Sequence, residues 1–200
     1  MPGKLLLSTA YLPPPEYFSL IRNADEIWIE QHENYLKQTY RNRCRILSSN
    51  GITVLSVPVS KGKNPKVLTR DITIDYSKRW QQVHLRSVRS AYSRSPFFQF
   101  LFEPVEKIIS GNHKYLIDLN NELLCYCLGI LKINKCIMYT NSFEPAADRD
   151  YDFRYRISSK LESDFCEKPH IQVFSDGSYK QGLSILDLIF NTGPDAPEYL

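Results

Sequence analysis

The first thirty residues contain the pattern that most constrains the fold of this chain. Lys4–Leu7 is a short apolar run that predicts a buried strand. A run of three prolines then predicts a rigid loop, and Glu16–Asn23 follows as a short helix. Glu26–Glu30 alternates polar and apolar residues, as strands do. Strand, helix and strand in this order predict a βαβ unit, with one loop mouth near Leu12–Pro15 and another near Glu30–His32.

The clearest local signal downstream is a hairpin. Asn50-Gly51 supplies left-handed turn conformations between the apolar runs Arg45–Leu47 and Ile52–Val57. Lys61–Arg70 is predicted to be a basic loop, and Asp75 or Ser77 is predicted to cap the helix that carries Trp80. The spacing of apolar residues, and the glycines and prolines that interrupt helices and strands, predict the remaining elements. They are strands at Ile72–Ile74, Cys136–Thr140 and Ile171–Phe174, helices at Phe97–Ile109, Tyr115–Leu131 and Leu183–Phe190, a surface loop at Phe143–Arg156 and a turn at Ser175–Gly177.

Length and composition predict one domain over residues 1–200. A 200-residue chain with 42% hydrophobic residues can fill one sizeable core. The predicted class is α/β, with a small mixed sheet that a βαβ-like unit opens, a hairpin, and a mainly helical middle region. The formal net charge is only +3, so no strong attraction to nucleic acid is expected.

Location is predicted from missing signals. Leu5–Leu7 is too short for the apolar part of a signal peptide, and no apolar stretch approaches the roughly 20 residues that span a bilayer. The five cysteines are odd in number and none forms a CxxC pair, so neither a disulfide framework nor a zinc site is expected. A cytoplasmic location follows, and the residues point to no metal and name no cofactor and no oligomeric state.

The polar segment from Glu30 to Arg43 is the predicted working site. It combines carboxylates, an imidazole, amides and guanidinium groups, which are the ingredients of acid–base catalysis and anion binding. His32 is the proposed proton-transfer residue, with Glu30 to orient its ring and His84, on the Trp80 helix, as a second base. The predicted ligand-binding residues are Gln31, Asn34, Tyr35, Tyr40, Arg41, Asn42, Arg43 and Tyr11.

Arg41 and Arg43 alternate around Asn42, so in an extended segment both would face one phosphate or carboxylate.

Each of these functional roles has a structural alternative. The segment can also be a polar loop with ordinary ion pairs, His32 a ring bonded to a backbone carbonyl, and His84 a packed core histidine, which spacing favours. Asp187, inside an apolar helix, is expected to bond buried donors, including an arginine, and the charged residues between Asp148 and Arg156 are read as a solvated run.

Motifs that would name a common enzyme class are missing from the sequence. There is no GxxxxGK[ST], GxGxxG, GxSxG or HExxH, so phosphate-loop enzymes, dinucleotide-dependent dehydrogenases, esterases and zinc proteases have no motif support.

Several segments distributed along most of the chain resemble the WbqC-like protein family, in its compact bacterial branch. They are Tyr11-Leu12-Pro13, Ile29–Tyr35, Lys37–Cys44, Trp80 with His84, Ser90-Ala91-Tyr92, Ser95–Phe98, Asp152-Phe153-Arg154 with Ile157-Ser158, Gln172-Val173-Phe174, and Leu183–Asn191 with Gly193-Pro194. The chain departs from the family pattern at Thr9-Ala10, Ser159 and Gln181-Gly182.

The resemblance implies a role in bacterial surface-polysaccharide or amino-sugar metabolism. Acyl or aminoacyl transfer to a nucleotide-linked sugar is the implied reaction, with Arg41 and Arg43 on the diphosphate of a small ligand such as a nucleotide sugar. The alternative is a noncatalytic module that binds a small ligand or a partner protein and supports envelope assembly. A pH dependence near the imidazole range separates the two, because only catalysis requires it.

Overall fold

A parallel sheet forms the frame on which the N-terminal half of the chain is built. The computed structural model describes residues 3–60, 66–145, 150–158 and 163–200. Strand β1 (Lys4–Ser8) pairs in parallel with β2 (Glu26–Glu30), and β2 pairs in parallel with β7 (Ile137–Tyr139). Helix α1 (Pro15–Asn23) connects β1 to β2 and begins at a proline, which needs no hydrogen-bond acceptor at that position. The predicted βαβ unit is therefore confirmed.

The hairpin predicted around Asn50-Gly51 is also confirmed. Strand β3 (Arg43–Ser48) pairs antiparallel with β4 (Gly51–Ser56), and Gly51 has a φ of 92° that an L side chain rarely adopts. Cys44 and Leu55 are partners on the face that points into the core, and both are buried. Because side chains alternate along a strand, Arg43 lies on the opposite face of the hairpin.

The other elements pack around this frame as one mixed α/β domain. Aromatic rings of three helices meet in the core, where Phe190 contacts Tyr92, Phe98 and Phe102. The additional bounds are β5 (Val59–Ser60) paired with β6 (Thr73–Ile74), α2 (Trp80–Tyr92), α3 (Phe98–Ser110), α4 (Leu116–Ile130), α5 (Ile185–Thr192), and 3₁₀ turns at Thr69–Asp71 and Gly193–Tyr199. No helix in the described ranges has the length and apolarity needed to cross a membrane.

Several local predictions were wrong. Ile171–Phe174 forms no strand, because this run has no strand partner among the described residues, and Ile171 is 88% exposed. Helix α2 has Arg79 at its N-cap without a side-chain cap, while Asp75 accepts a hydrogen bond from the backbone of Ser77 in its own turn. Within the predicted basic loop, residues 61–65 lie outside the described part of the chain, and Thr69–Asp71 is a 3₁₀ turn.

Candidate functional site

The predicted site segment does not close around one cleft. Between β2 and β3 the chain turns back on itself, with the backbone N–H of Tyr35 donating to Val67 and that of Asn42 donating to Thr39. The segment is therefore not extended, and its polar side chains reach separate places. Glu30 lines a cavity of about 140 Å³, Tyr40 and Arg41 line a void of about 20 Å³, and Tyr35, Asn42 and Arg43 line a cavity of about 560 Å³.

Glu30 is held in a buried ion network. Its Oε2 accepts from Arg154 Nη1 at 3.0 Å, and its Oε1 accepts from Thr140 Oγ1 at 2.8 Å and from the backbone N–H of His32 at 2.7 Å. Asp152 binds the same guanidinium at 2.6 Å. Glu30 thus bonds the backbone of His32, and no hydrogen bond to the His32 ring is found in the described chain.

The same network corrects the prediction for the charged run before Arg156. Asp152 and Arg154 are buried instead of solvated. The reason is that this part of the chain lies against β1, where the backbone N–H of Leu6 donates to the carbonyl of Tyr151 and the carbonyl of Leu6 accepts from the N–H of Phe153. Asp148 and Arg149 lie outside the described residues. Burial alone raises the pKa of the Asp152 carboxyl, but hydrogen bonds from Arg154 and its charge outweigh burial and hold that pKa below its ordinary value.

Arg41 serves a second buried ion pair. Its Nε and Nη2 donate to the two carboxylate oxygens of Glu33, each at 2.7 Å, and Nη2 also donates to Ser8 Oγ. Both partners are almost fully buried. The guanidinium is therefore occupied inside the protein, and it does not share a face with Arg43.

His84 is fixed in one neutral tautomer. Its Nε2 lies 3.2 Å from the carbonyl oxygen of Ser56, and its Nδ1 lies 2.9 Å from the Tyr11 hydroxyl. A carbonyl can only accept, so Nε2 carries the proton and Nδ1 accepts from Tyr11. Burial lowers the pKa of His84 to about 4, and burial raises the pKa of Tyr11 well above its usual value, which keeps the phenol a donor.

Several polar and cationic side chains line the 560 Å³ space between the β3–β4 hairpin and α2, here called the hairpin–helix cavity. Ligand cavities commonly measure about 300–1,000 Å³. Its walls come from the turn before β3, from the hairpin and the chain after it, and from the start of α2. The lining residues are Tyr35, Lys37, Gln38, Asn42, Arg43, Val54, Leu55, Ser56, Val57, Pro58, Val59, Lys78, Arg79, Trp80, Val83 and His84.

The electrostatics of the hairpin–helix cavity are one-sided. Four lining residues are cationic, Lys37, Arg43, Lys78 and Arg79, and its lining within the described chain includes no aspartate or glutamate. None of the four cations forms a salt bridge with a described residue. Uncompensated cations around a concave surface attract anions, and Arg43 is half-buried, which reduces screening by solvent.

Polar atoms in the walls of this cavity also lack partners. Arg43 Nε, Asn42 Oδ1 and Trp80 Nε1 are buried and accept or donate no hydrogen bond within the described chain. Buried polar groups are normally paired, so an unpaired one requires an explanation, and a bound ligand is one such explanation. Three such residues border one cavity.

One residue of the cavity lining has strained backbone: Gln38 has a φ of 61°. Leu12 and Lys132 also have a positive φ, but neither lines this cavity. Non-glycine residues adopt this left-handed region at a cost of about 1–2 kcal/mol. Strained backbone of this kind clusters at ligand sites.

The remaining predicted ligand-binding residues lie elsewhere. Gln31 donates from its side chain to the Thr140 carbonyl at 2.8 Å, and Asn34 is exposed beside Leu68. Asp187 bonds buried donors as expected, but these are His170 and Gln172, and no described arginine is among them. No group of three or more His, Cys, Asp or Glu side chains poised for a metal is found in the described ranges.

Sequence reasoning predicted only four of the sixteen residues that line the cavity, Tyr35, Asn42, Arg43 and His84. Lys78, Arg79 and Trp80 were not predicted as ligand-binding residues, because they are some forty residues from the Glu30–Arg43 segment and only the packing of α2 on the hairpin brings them near it. The available signal was the pair of cations immediately before an aromatic residue at a helix start.

Comparison with known proteins gives one family. The sequence profile of the WbqC-like protein family matches residues 9–169. The uncharacterized protein Rv1507c of Mycobacterium tuberculosis is 30% identical over 223 aligned positions, which cover 98% of this chain and 96% of that protein. No solved structure matches the chain. The resemblance predicted from the motifs is confirmed, and the range that the family profile matches contains every segment that lines the hairpin–helix cavity.

Proposed function

The chain belongs to the WbqC-like protein family, and from that membership and the hairpin–helix cavity we propose that it binds a nucleotide-linked sugar as a cytoplasmic transferase of bacterial surface-polysaccharide or amino-sugar metabolism. The observation that carries the proposal is a set of four cations, none in a salt bridge with a described residue, around a cavity whose described lining contains no carboxylate. A sugar diphosphate supplies the missing negative charge.

The chemistry of the lining suits each part of such a ligand. Arg43 presents a planar guanidinium that binds phosphate oxygens in pairs, and Lys37 and Lys78 add mobile positive charge at the rim. Tyr35 and Trp80 supply aromatic surface for a base or sugar ring. Asn42 Oδ1 and Trp80 Nε1, which bond no described residue, offer an acceptor and a donor.

The proposed reaction is acyl or aminoacyl transfer to the amino group of the sugar. In this step the amine nitrogen forms a bond to the acyl carbon, the donor's leaving group departs, and the nitrogen loses a proton. Of the three catalytic candidates, only His84 lines the hairpin–helix cavity, so the proposal assigns it the proton transfer. Glu30 then has a positioning role, since it accepts a hydrogen bond from the backbone N–H of His32 at the start of the turn.

Binding tests the proposal most simply. Calorimetric titration with a panel of nucleoside diphosphate sugars should give saturable binding, and Arg43→Ala should weaken it by roughly ten- to a hundredfold, since a charged hydrogen bond contributes about 1.5–3 kcal/mol. Arg86→Ala is the matched control, because Arg86 is exposed on the same helix α2 and does not line the cavity. Equal affinities of wild type and Arg43→Ala, or no binding to any member of the panel, would refute it.

A specific observation also favours the second candidate, a noncatalytic binding module. Both ring nitrogens of His84 are engaged, and a base whose pKa is about 4 takes up a proton weakly at neutral pH. This candidate predicts the same binding without turnover. The two candidates are distinguished by incubating the protein with an acyl donor and the bound sugar and analysing the sugar by mass spectrometry. Acylation of the sugar that is lost in His84→Gln supports the transferase, and no acylation supports the binding module.

A further inference from the structure

The hairpin–helix cavity has an apolar rim that a sugar diphosphate does not use. Val54 and Val83 are 52% and 57% exposed, and both line the cavity. A single exposed valine is ordinary on a protein surface. These two, however, border the same cavity from different elements, β4 and α2.

Each exposed valine also lies beside a cation. In the hairpin, Val54 pairs with Arg45 and Ser56 pairs with Arg43, so Arg43 and Val54 are diagonal neighbours on the outer face. On the other wall, Arg79 at the N-cap of α2 precedes Val83 by four residues, which is about one helical turn. Both walls therefore place an apolar side chain next to a positive charge.

The apolar surface continues inward from this rim. Leu55, Val57, Pro58 and Val59 line the cavity in sequence, and the ring of Trp80 faces the same space from α2. Leu55 and Val57 are buried, so the surface runs from solvent into the core side of the cavity. An aliphatic chain that enters here would lose its contact with water.

We propose that the ligand of this cavity carries an aliphatic chain as well as phosphate groups, with the phosphates on Arg43 and Arg79 and the chain between Val54 and Val83. This rests on the proposed function, since it uses the same anion site. Two sources share the chemistry: an acyl thioester of a phosphopantetheine-type cofactor, which would be the acyl donor, and a polyprenyl phosphate.

An alkyl phosphate series tests the inference. Methyl, butyl and octyl phosphate are titrated into the wild-type protein by calorimetry, and octyl phosphate should bind roughly tenfold more tightly than methyl phosphate, because each methylene removed from water adds affinity. The double variant Val54→Thr/Val83→Thr keeps the side-chain shape and should reduce this preference to about threefold or less. Ile171→Thr is the control, since Ile171 is exposed and outside the cavity.

The outcomes separate the inference from the proposed function. Suppose that the three alkyl phosphates bind with equal affinity while nucleoside diphosphate sugars bind and Arg43→Ala weakens that binding. The inference is then overturned, and the proposed function stands. Failure of both ligand classes to bind overturns both. When the series behaves as expected, two comparisons identify the source. The affinity of hexanoyl coenzyme A is compared with that of coenzyme A, and the affinity of farnesyl phosphate with that of methyl phosphate; the source is the one whose chain increases affinity.

Discussion

At the scale of single residues, His84 best shows how packing decides chemistry. The sequence placed this histidine on a helix and left open whether it acts as a base or fills the core. The structure gives it one donor partner, Tyr11, and one acceptor partner, Ser56, and buries the ring. These contacts come from residues 73 and 28 positions away, so no local pattern could have revealed them.

A pH series on stability tests this environment. Below pH 6.5 the unfolded chain protonates this imidazole, whereas the folded chain does so only near pH 4, so the folded state loses stability as the pH falls through this window. His84→Gln retains a donor for Ser56 and cannot titrate. Urea denaturation at pH 7.5 and at pH 4.5 gives the loss in free energy of unfolding between the two pH values. This loss should be about 2–3 kcal/mol smaller for His84→Gln than for wild type. Parallel pH profiles would contradict the environment described for His84.

At the scale of elements, buried ion pairs hold the turn before β3 and the chain near Asp152 against the parallel sheet. The pair Arg41–Glu33 closes the turn, and Arg154 joins Glu30 at the end of β2 to Asp152. Sequence analysis saw these charges as a catalytic group and as a solvated run. It could not pair Glu30 with Arg154, because they are 124 residues apart.

The element-scale prediction concerns Arg41. Arg41→Met leaves the Glu33 carboxylate buried without its partner and should reduce the free energy of unfolding by about 3–5 kcal/mol, measured by urea denaturation. The double variant Arg41→Met/Glu33→Met removes both charges and should recover most of that loss. Nucleotide-sugar affinity of the folded protein should be unchanged. If Arg41→Met kept its stability and lost the ligand, Arg41 would belong to the binding site after all.

At the scale of the whole molecule, the fold was predictable where the signal is local. The βαβ unit and the hairpin follow from short patterns such as Asn50-Gly51, and both are present. Ile171–Phe174 has strand composition but pairs with no strand among the described residues, since pairing depends on the rest of the chain. The hairpin–helix cavity likewise depends on how α2 packs on β3, which spacing along the sequence does not determine.

The C-terminal packing gives the whole-molecule prediction. Gly193 has a φ of 54°, and a Cβ there would lie 2.4 Å from the ring of Phe97. Gly193→Ala should therefore destabilise the protein by about 2–4 kcal/mol in urea denaturation, through strain and displacement of that ring. Gly129 in α4 is the matched control, because a Cβ there meets nothing within 4 Å. Gly129→Ala should stabilise the helix by up to about 1 kcal/mol. If the two substitutions changed the free energy of unfolding equally, the described packing of the C-terminal tail would be contradicted.

The central claim is that the hairpin–helix cavity binds the phosphates of the ligand. A crystal structure of the protein with a bound nucleoside diphosphate sugar tests it most directly. The account predicts diphosphate oxygens within hydrogen-bond distance of the Arg43 guanidinium, between β3 and the start of α2. A diphosphate bound instead at Arg41 and Arg154, at the carboxyl ends of β1 and β2, would contradict it.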